Sequence, residues 1–135
     1  MKALFALLLL LCCAVVTNAA EQKDLGGMEP AQALEYMKTT PDLIIVDVAT
    51  KSGFERIHFA NAINIPIENI SSAEAKTLYM QIPAGRPVIL HCRLGMIVPG
   101  AYHTLKNLRQ DIPEISYIAG KPSFEAYNAI MNGGD

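Results

Sequence analysis

The sequence predicts a single α/β domain with a mostly parallel central sheet flanked by helices. Short apolar runs alternate with amphipathic segments along the chain, which is typical of strands connected by helices. The runs are apolar throughout rather than at every second residue, as in strands covered on both faces. Hydrophobic residues make up 51% of the 135 residues, which suits one domain with its own core.

The chain is predicted to carry a signal peptide over residues 1–19, followed by the domain over residues 20–135. A basic start at Lys2 precedes an unbroken apolar run over residues 3–16, which is shorter than the ~20 residues of a typical membrane-spanning helix. Small residues near position 19 favour cleavage after Ala19. We therefore expect a periplasmic or secreted protein with no membrane segment after cleavage.

This cleavage changes the cysteine content and the charge. Cys12 and Cys13 would leave with the signal, and neither fits a lipoprotein signal, because a bulky residue precedes each of them. Cys92 then remains alone in an oxidising compartment and has no partner for an internal disulfide. Loss of Lys2 lowers the basic residues from 11 to 10 against 13 acidic residues, a net charge of −3. Such a charge predicts no surface for nucleic acid or anionic membranes.

Four elements are predicted in the first half of the chain after a polar lead at residues 21–27. In chain order they are a helix at residues 29–40, a strand at 42–48, a strand at 62–66 and a helix at 71–80. Pro30 lies near the first turn of the first helix, where proline is favoured, and Pro66 stops the second strand. Ser71 followed by Glu74 is a capping-box signature, which marks the start of the second helix.

The second half predicts a further strand–helix–strand–helix series. These elements are a strand at residues 86–92, a helix at 98–110, a strand at 114–120 and a helix at 122–131. The helix after residue 97 has an apolar stripe at helical spacing and Pro99 at its first helical position. The last helix ends at a glycine pair that follows Asn132.

Cys92 stands where a buried strand ends and, after a short loop, a helix begins. In open parallel sheets such places bind ligands, because the loop aims N–H groups inward and the helix contributes its positive end. Gly95 allows the left-handed backbone that a tight loop requires. Fixed dipoles of this kind favour ionisation of a thiol, which makes it a nucleophile. The alternative is a cysteine that only packs in the core.

Two separate stretches resemble the rhodanese-like sulfurtransferase family. The loop "CRLG", with an apolar strand before it and an amphipathic helix after it, resembles the active-site loop of that family. Residues 44–66 resemble its N-terminal signature. The matching residues there are Asp47, Val48, Phe54, His58, Ala62, Asn64 and Pro66. The similarity covers nearly all of the mature chain, and its size resembles the exported single-domain members.

The resemblance implies a thiosulfate sulfurtransferase that needs no cofactor and no metal. The Cys92 thiolate would be the catalytic nucleophile, taking sulfane sulfur from a small donor such as thiosulfate and passing it to a thiol or cyanide. A protein sulfur acceptor is a further partner that the resemblance allows. Asp47 and His58 are expected to support the site. Asp47, at a strand end, either orients a polar group in the pocket or anchors the local backbone, and His58 fits the motif and would fix the turn before the second strand. The residues implied in substrate binding are Arg93, Leu94, Gly95, Met96, Ile97 and Val98.

The chain departs from the family pattern at two arginine positions. Ile97 stands where the active-site loop normally ends in arginine, and Ala49 stands where the first motif has one. Loss of one charge-assisted contact costs ~1.5–3 kcal/mol, so we expect weak activity on thiosulfate. Arg93 is either a substitute cation or a solvated surface charge. Leu94, Met96 and Ile97 either make an apolar mouth or turn into the core.

Histidines are not expected to act on the thiol or to bind metal. His91 precedes Cys92 in the strand, so its side chain should face the other side of the sheet. His103 falls on the helix after the loop, at a surface position. Scattered histidines without a cysteine pair do not make a metal site.

Two other functions compete with sulfur transfer. A phosphatase or arsenate reductase would need an arginine six residues after the cysteine, and Val98 occupies that position. The stronger alternative is a catalytically degenerate rhodanese-like module that binds a partner or carries sulfur. Ile97 and Ala49 favour the module, whereas Cys92 and Gly95 favour the enzyme.

Overall fold

The computed structural model of the chain describes residues 21–133. The predicted signal peptide lies outside the described residues. Among residues 21–133, no helix is long and apolar enough to pass through a lipid bilayer.

Strands and helices alternate through the whole described region, as the apolar pattern predicts. The elements are β1 Lys23–Met28, α1 Pro30–Thr39, β2 Ile44–Asp47, α2 Lys51–Arg56, β3 Ile63–Asn64, α3 Ser72–Tyr79, β4 Val88–His91, α4 Val98–Leu108, β5 Glu114–Ile118 and α5 Phe124–Met131. The five strands form one sheet in the order β1-β5-β4-β2-β3, and every neighbouring pair is parallel. The predicted fold class, a single α/β domain, is confirmed.

The central strands β4 and β2 place the site. They pair in register from Ile44 with Val88 to Asp47 with His91, and every residue in both strands is buried. Because all the strands are parallel, their carboxyl ends meet at one edge of the sheet. Cys92 follows β4 directly at that edge, in the crevice where open α/β sheets bind ligands.

Two apolar clusters cover the two faces of the sheet. One cluster contains Val88 and Leu90 together with residues of α3 and α4, and the other contains Ile89 together with residues of α1 and α5. Side chains of a strand alternate between faces, and this alternation continues past the end of β4. Cys92 belongs to the first cluster. His91 packs against Phe124 of the second cluster, on the face opposite Cys92, as predicted.

The prediction of an irregular polar lead at residues 21–27 is wrong, because most of this stretch belongs to strand β1. This strand pairs in parallel with β5, from Lys23 beside Glu114 to Met28 beside Ile118, with a register irregularity between Asp24 and Gly26. Its side chains are mostly exposed or half-buried, so no apolar run marks it. It is a strand because its main chain pairs with β5, and such pairing cannot be predicted from the residue types of this stretch.

Helix α2 is also absent from the sequence prediction. It has six residues, none of them buried, so it carries no apolar stripe. Thr50 starts it by accepting a hydrogen bond from the Gly53 amide at 3.2 Å. The predicted strand at residues 62–66 shortens to the two residues of β3. Helix α4 begins at Val98, so Pro99 is its second residue rather than its first.

Helices α3 and α4 are fixed at their ends by polar contacts. The predicted capping box is confirmed at α3, where Ser71 and Glu74 exchange hydrogen bonds. Beyond α4, the buried Arg109 donates from Nη1 to the carbonyls of Tyr79 and Ile82 at 2.8 and 2.7 Å. Its other nitrogens bind the Asp111 carboxylate, which lowers the pKa of Asp111. Arg109 thus joins the end of α4 to the end of α3.

Candidate functional site

Cys92 lies in the wall of a small cavity at the carboxyl end of β4. Only 3% of the residue is exposed, and it is the free cysteine of the described region. The cavity has a volume of about 210 Å³. It is lined by Ala49, Thr50, Glu68, Cys92, Arg93, Leu94, Met96 and Ile97. Cys92 is therefore largely shielded from bulk water and borders this cavity.

The loop after Cys92 is held by a close main-chain contact at Gly95. This glycine has a φ of +78°, in the left-handed region that favours glycine. A Cβ at this position would lie 2.4 Å from the nitrogen and 2.7 Å from the Cα of Gly120. Gly120, which follows β5 with a φ of +138°, was not singled out from the sequence. Its position directly after an apolar strand and before Lys121-Pro122 was the available signal.

The loop presents hydrogen-bond donors that the fold itself does not use. In the part of the chain that the structure describes, the amide groups of residues 93–98 donate to no main-chain carbonyl. Helix α4 begins at Val98, and the Ile97 side chain gives it no cap hydrogen bond. Free N–H groups and a helix amino terminus favour negative charge beside them. The loop that borders the cavity is therefore suited to an anionic sulfur.

The four apolar side chains of the loop divide into two exposed and two inward-facing ones. Leu94 and Met96 are 64% and 79% exposed, so they form the mouth of the cavity. Ile97 is half-buried and packs against the core, while it also lines the cavity. Val98 is fully buried. Of the groups predicted to bind substrate, Val98 therefore has only its main-chain N–H to offer.

Arg93 was predicted to be either a substitute cation for substrate or a solvated surface charge, and the structure contradicts the second interpretation. Its side chain is 29% exposed, and Nη2 lies 3.8 Å from Oδ2 of Asp47. The guanidinium carbon lies 5.3 Å from the centre of the Phe124 ring, a cation–π distance. Phe124 belongs to the apolar cluster opposite the one that contains Cys92. The guanidinium group is thus held toward the other face of the sheet.

Beneath the loop, Asp47, His91 and Arg93 form a buried polar cluster. Oδ1 of Asp47 accepts a hydrogen bond from the Ala49 amide at 2.9 Å, which anchors the backbone after β2. Oδ2 faces Nε2 of His91 and Nη2 of Arg93, each at 3.8 Å, and none of these three atoms has a hydrogen-bond partner among the described residues. The cluster is held by charge and packing.

Burial lowers the pKa of His91, although the nearby Asp47 carboxylate opposes this shift. The ring is therefore neutral at neutral pH. Nδ1 lies 3.3 Å from the Cys92 carbonyl, which can only accept, so Nδ1 carries the proton and Nε2 does not. This tautomer explains why Nε2 and the Asp47 carboxylate do not bond. His91 acts on the main chain of Cys92 and faces away from its thiol.

The other histidines lie outside the cavity lining. Nδ1 of His58 lies 2.8 Å from the Phe54 carbonyl, and the two rings stack with centres 4.1 Å apart. Asn128 donates to the His58 carbonyl and accepts from the Ala60 amide, and sequence analysis missed this residue. These contacts fix the turn between α2 and β3. His103 is exposed on α4, as predicted.

Residues 29–128 match the sequence profile of the rhodanese-like domain. No curated protein matches the chain significantly. At the sequence identities found, under 25%, the likeness to solved structures shows the fold alone.

Three of the similar structures come from proteins with different descriptions. A rhodanese-related protein from Thermoplasma volcanium has a TM-score of 0.55 at 19% identity, over 81% of this chain and 94% of that one. A possible tyrosine phosphatase from Rhodopseudomonas palustris has a TM-score of 0.54 at 18% identity, over 78% and 81%. An NAD-dependent persulfide reductase from A. fulgidus has a TM-score of 0.50 at 23% identity, over 71% of this chain and 15% of that one.

The contact at Gly95 predicts that a methyl group there is far more costly than one at a matched glycine. Gly85 has a similar φ of +75°, but a Cβ there would meet no atom within 4 Å. Both Gly95→Ala and Gly85→Ala introduce left-handed strain, ~1–2 kcal/mol, whereas only Gly95→Ala also forces Gly120 to move. Urea unfolding should show that Gly95→Ala loses ~1–3 kcal/mol more than Gly85→Ala. Equal losses would show that the close approach is not maintained in solution.

The lowered pKa of His91 predicts a specific loss of stability in acid. An unfolded histidine titrates near ~6.5, so below this pH the unfolded chain binds a proton that the folded chain takes up only at lower pH. The contribution of the neutral His91 ring to the free energy of unfolding is fully present above pH ~6.5 and is lost as the pH falls below this value. The free energy of unfolding should therefore fall more steeply from pH 7 to pH 5 in wild type than in His91→Phe. The exposed His103→Gln variant should keep the wild-type slope, and a steep slope in His91→Phe would contradict the assignment.

Proposed function

The chain belongs to the rhodanese-like domain family, and we propose that it transfers sulfane sulfur through a persulfide on Cys92. The observation that carries this proposal is the thiol in a small cavity, bordered by a loop whose amides have no main-chain partner. We further propose that the protein acts in the periplasm or outside the cell, because residues 1–19 have the pattern of a signal peptide.

Sulfur transfer would occur in two half-reactions at the same sulfur atom. The Cys92 thiolate attacks the outer sulfur of thiosulfate, and a new S–S bond forms to Sγ. The S–S bond of thiosulfate breaks, and its electron pair leaves with sulfite, so that Cys92 carries one additional sulfur. A thiolate or cyanide then attacks that outer sulfur, and the Cys92 thiolate leaves. The covalent intermediate divides one transfer into two displacements.

Negative charge stays on sulfur throughout this cycle, and the main chain is the group that would stabilise it. In this proposal the thiolate, the persulfide and the departing thiolate are stabilised by the amides of residues 93–98, which donate to no main-chain carbonyl of the described residues. Preorganised donors of this kind need no rearrangement when the charge moves. His91 has no direct part in the cycle, because its side chain lies on the other face of the sheet.

A rhodanese-like module without turnover is the second candidate function. It is supported by the burial of Cys92 and by the half-buried Ile97, which offers no charge to an anionic donor. Such a module would bind a partner or keep a sulfur atom without passing it on. The two functions differ in whether Cys92 gains sulfur from a donor and then loses it to an acceptor.

Persulfide formation can be seen directly by intact-mass spectrometry. We expect the mature protein to gain one sulfur atom after incubation with thiosulfate and to lose it on addition of cyanide. Cys92→Ser should gain none, since the hydroxyl is not a nucleophile under these conditions. A wild-type protein that gains no sulfur would favour the module, and a serine variant that turns over as wild type does would refute the role of Cys92.

Restoring a cation at position 97 should strengthen thiosulfate turnover. Ile97→Arg places a guanidinium at the cavity, and one charge-assisted contact of ~1.5–3 kcal/mol lowers the Michaelis constant for thiosulfate about ten- to hundredfold. Met80→Arg is the control, because its side chain is exposed and does not line the cavity over Cys92, and its effect should be much smaller. Steady-state kinetics with cyanide would measure both. An unchanged constant in a folded Ile97→Arg protein would contradict this explanation of weak activity.

A further inference from the structure

The cavity over Cys92 is lined by one carboxylate that forms no ion pair among the described residues and by one guanidinium that is held elsewhere. Apart from the thiol, the ionisable side chains that line it are Arg93 and Glu68. The Arg93 guanidinium is held toward Asp47 and Phe124, on the other face of the sheet. Glu68 is exposed and forms no ion pair with any residue from 21 to 133. The free charge at the mouth of this cavity is therefore negative.

The remaining side chains do not compensate for this carboxylate. Ala49, Leu94, Met96 and Ile97 are apolar, and Thr50 is neutral. An anion that approaches Cys92 passes a like charge, whereas a cation gains an unpaired partner. Unpaired charge of one sign discriminates between ligands by repulsion as well as by attraction.

The two ends of the cavity also differ in polarity. Next to Cys92, the amides of residues 93–98 favour negative charge, while Glu68 at the rim favours positive charge. A ligand with an anionic sulfur and a cationic group would match both ends. The volume of about 210 Å³ equals the space of about seven water molecules at ~30 Å³ each, which suits a small ligand.

From these observations we propose that the thiol which accepts sulfur from Cys92 is a small aminothiol, with its ammonium group paired to Glu68. This inference rests on the proposed sulfur transfer and specifies its acceptor. The aminothiolate attacks the outer sulfur of the Cys92 persulfide, forming a new S–S bond. The bond from Sγ to that sulfur breaks, the Cys92 thiolate leaves, and the product is the persulfide of the aminothiol. No electrons are gained or lost overall, so no further reactant is needed.

A single-turnover experiment isolates the acceptor step from the loading step. Wild type and Glu68→Gln would be loaded with sulfur from excess thiosulfate and freed of it by gel filtration. Each loaded protein would then be mixed with 2-aminoethanethiol, 2-mercaptoethanol or 3-mercaptopropionate, and loss of sulfur would be followed by intact mass. These thiols carry a positive, a neutral and a negative group. Since they differ in intrinsic reactivity, the readout is the ratio of wild-type to variant rate for each thiol.

We expect this ratio to follow the charge of the thiol. For 2-aminoethanethiol the wild type should be about two- to fivefold faster than Glu68→Gln, the range expected for an exposed ion pair. For 2-mercaptoethanol the rates should be equal, and for 3-mercaptopropionate the wild type should be slower. High salt should reduce both differences, because exposed charges are screened. Glu125→Gln is the control, since this exposed carboxylate lines a different cavity, and it should behave as wild type with all three thiols.

The outcomes separate this inference from the function on which it rests. If sulfur loads onto Cys92 but the ratio is the same for all three thiols, the aminothiol assignment is wrong and sulfur transfer stands. An equal effect of Glu125→Gln would also overturn the assignment, because it would show a general effect of net charge. If wild type never gains sulfur, the proposed function fails, and the inference fails with it.

Discussion

The site depends on one close contact between two main-chain segments, where Gly95 meets Gly120. There is no room for a side chain between the loop after β4 and the connection after β5. The amides of this loop, residues 93–98, pair with no main-chain carbonyl of the described residues. The loop that follows Cys92 is therefore shaped by a main-chain contact as well as by the side chains around it.

Because side chains alternate between the two faces of the sheet along β4, the thiol of Cys92 and the ionisable cluster around His91 lie on opposite faces. Cys92 borders a cavity with both apolar and polar lining residues, while His91 faces the buried Asp47 and the partly buried Arg93 on the opposite side. In this cluster Asp47 accepts a hydrogen bond from the Ala49 amide, and His91 contacts the Cys92 carbonyl. The proposed nucleophile would therefore rely on the fixed dipoles of the loop and of helix α4, and the basic groups nearby contact the scaffold.

Features that depend on residues close together in the chain are predicted well from the sequence. The buried strands β2 and β4, the helix α4 and the positions of Cys92 and Gly95 follow from apolar runs, turn residues and two motifs. Strand β1 and the roles of Gly120 and Asn128 escape prediction, because each depends on contact with a segment far away in the chain. The orientation of Arg93 escapes for the same reason. Its neighbours are Asp47 at the end of β2 and Phe124 at the start of α5, which come together only in the folded domain.

The edges of the sheet have a consequence for how the protein behaves at high concentration. At one edge, β1 carries the charged Lys23 and Asp24 and breaks its register before Gly26. At the other edge, β3 has only two residues. Charge, irregular register and short length all make an edge a poor template for a strand from another molecule. The fold is thus protected against edge-to-edge aggregation at both of its open sides.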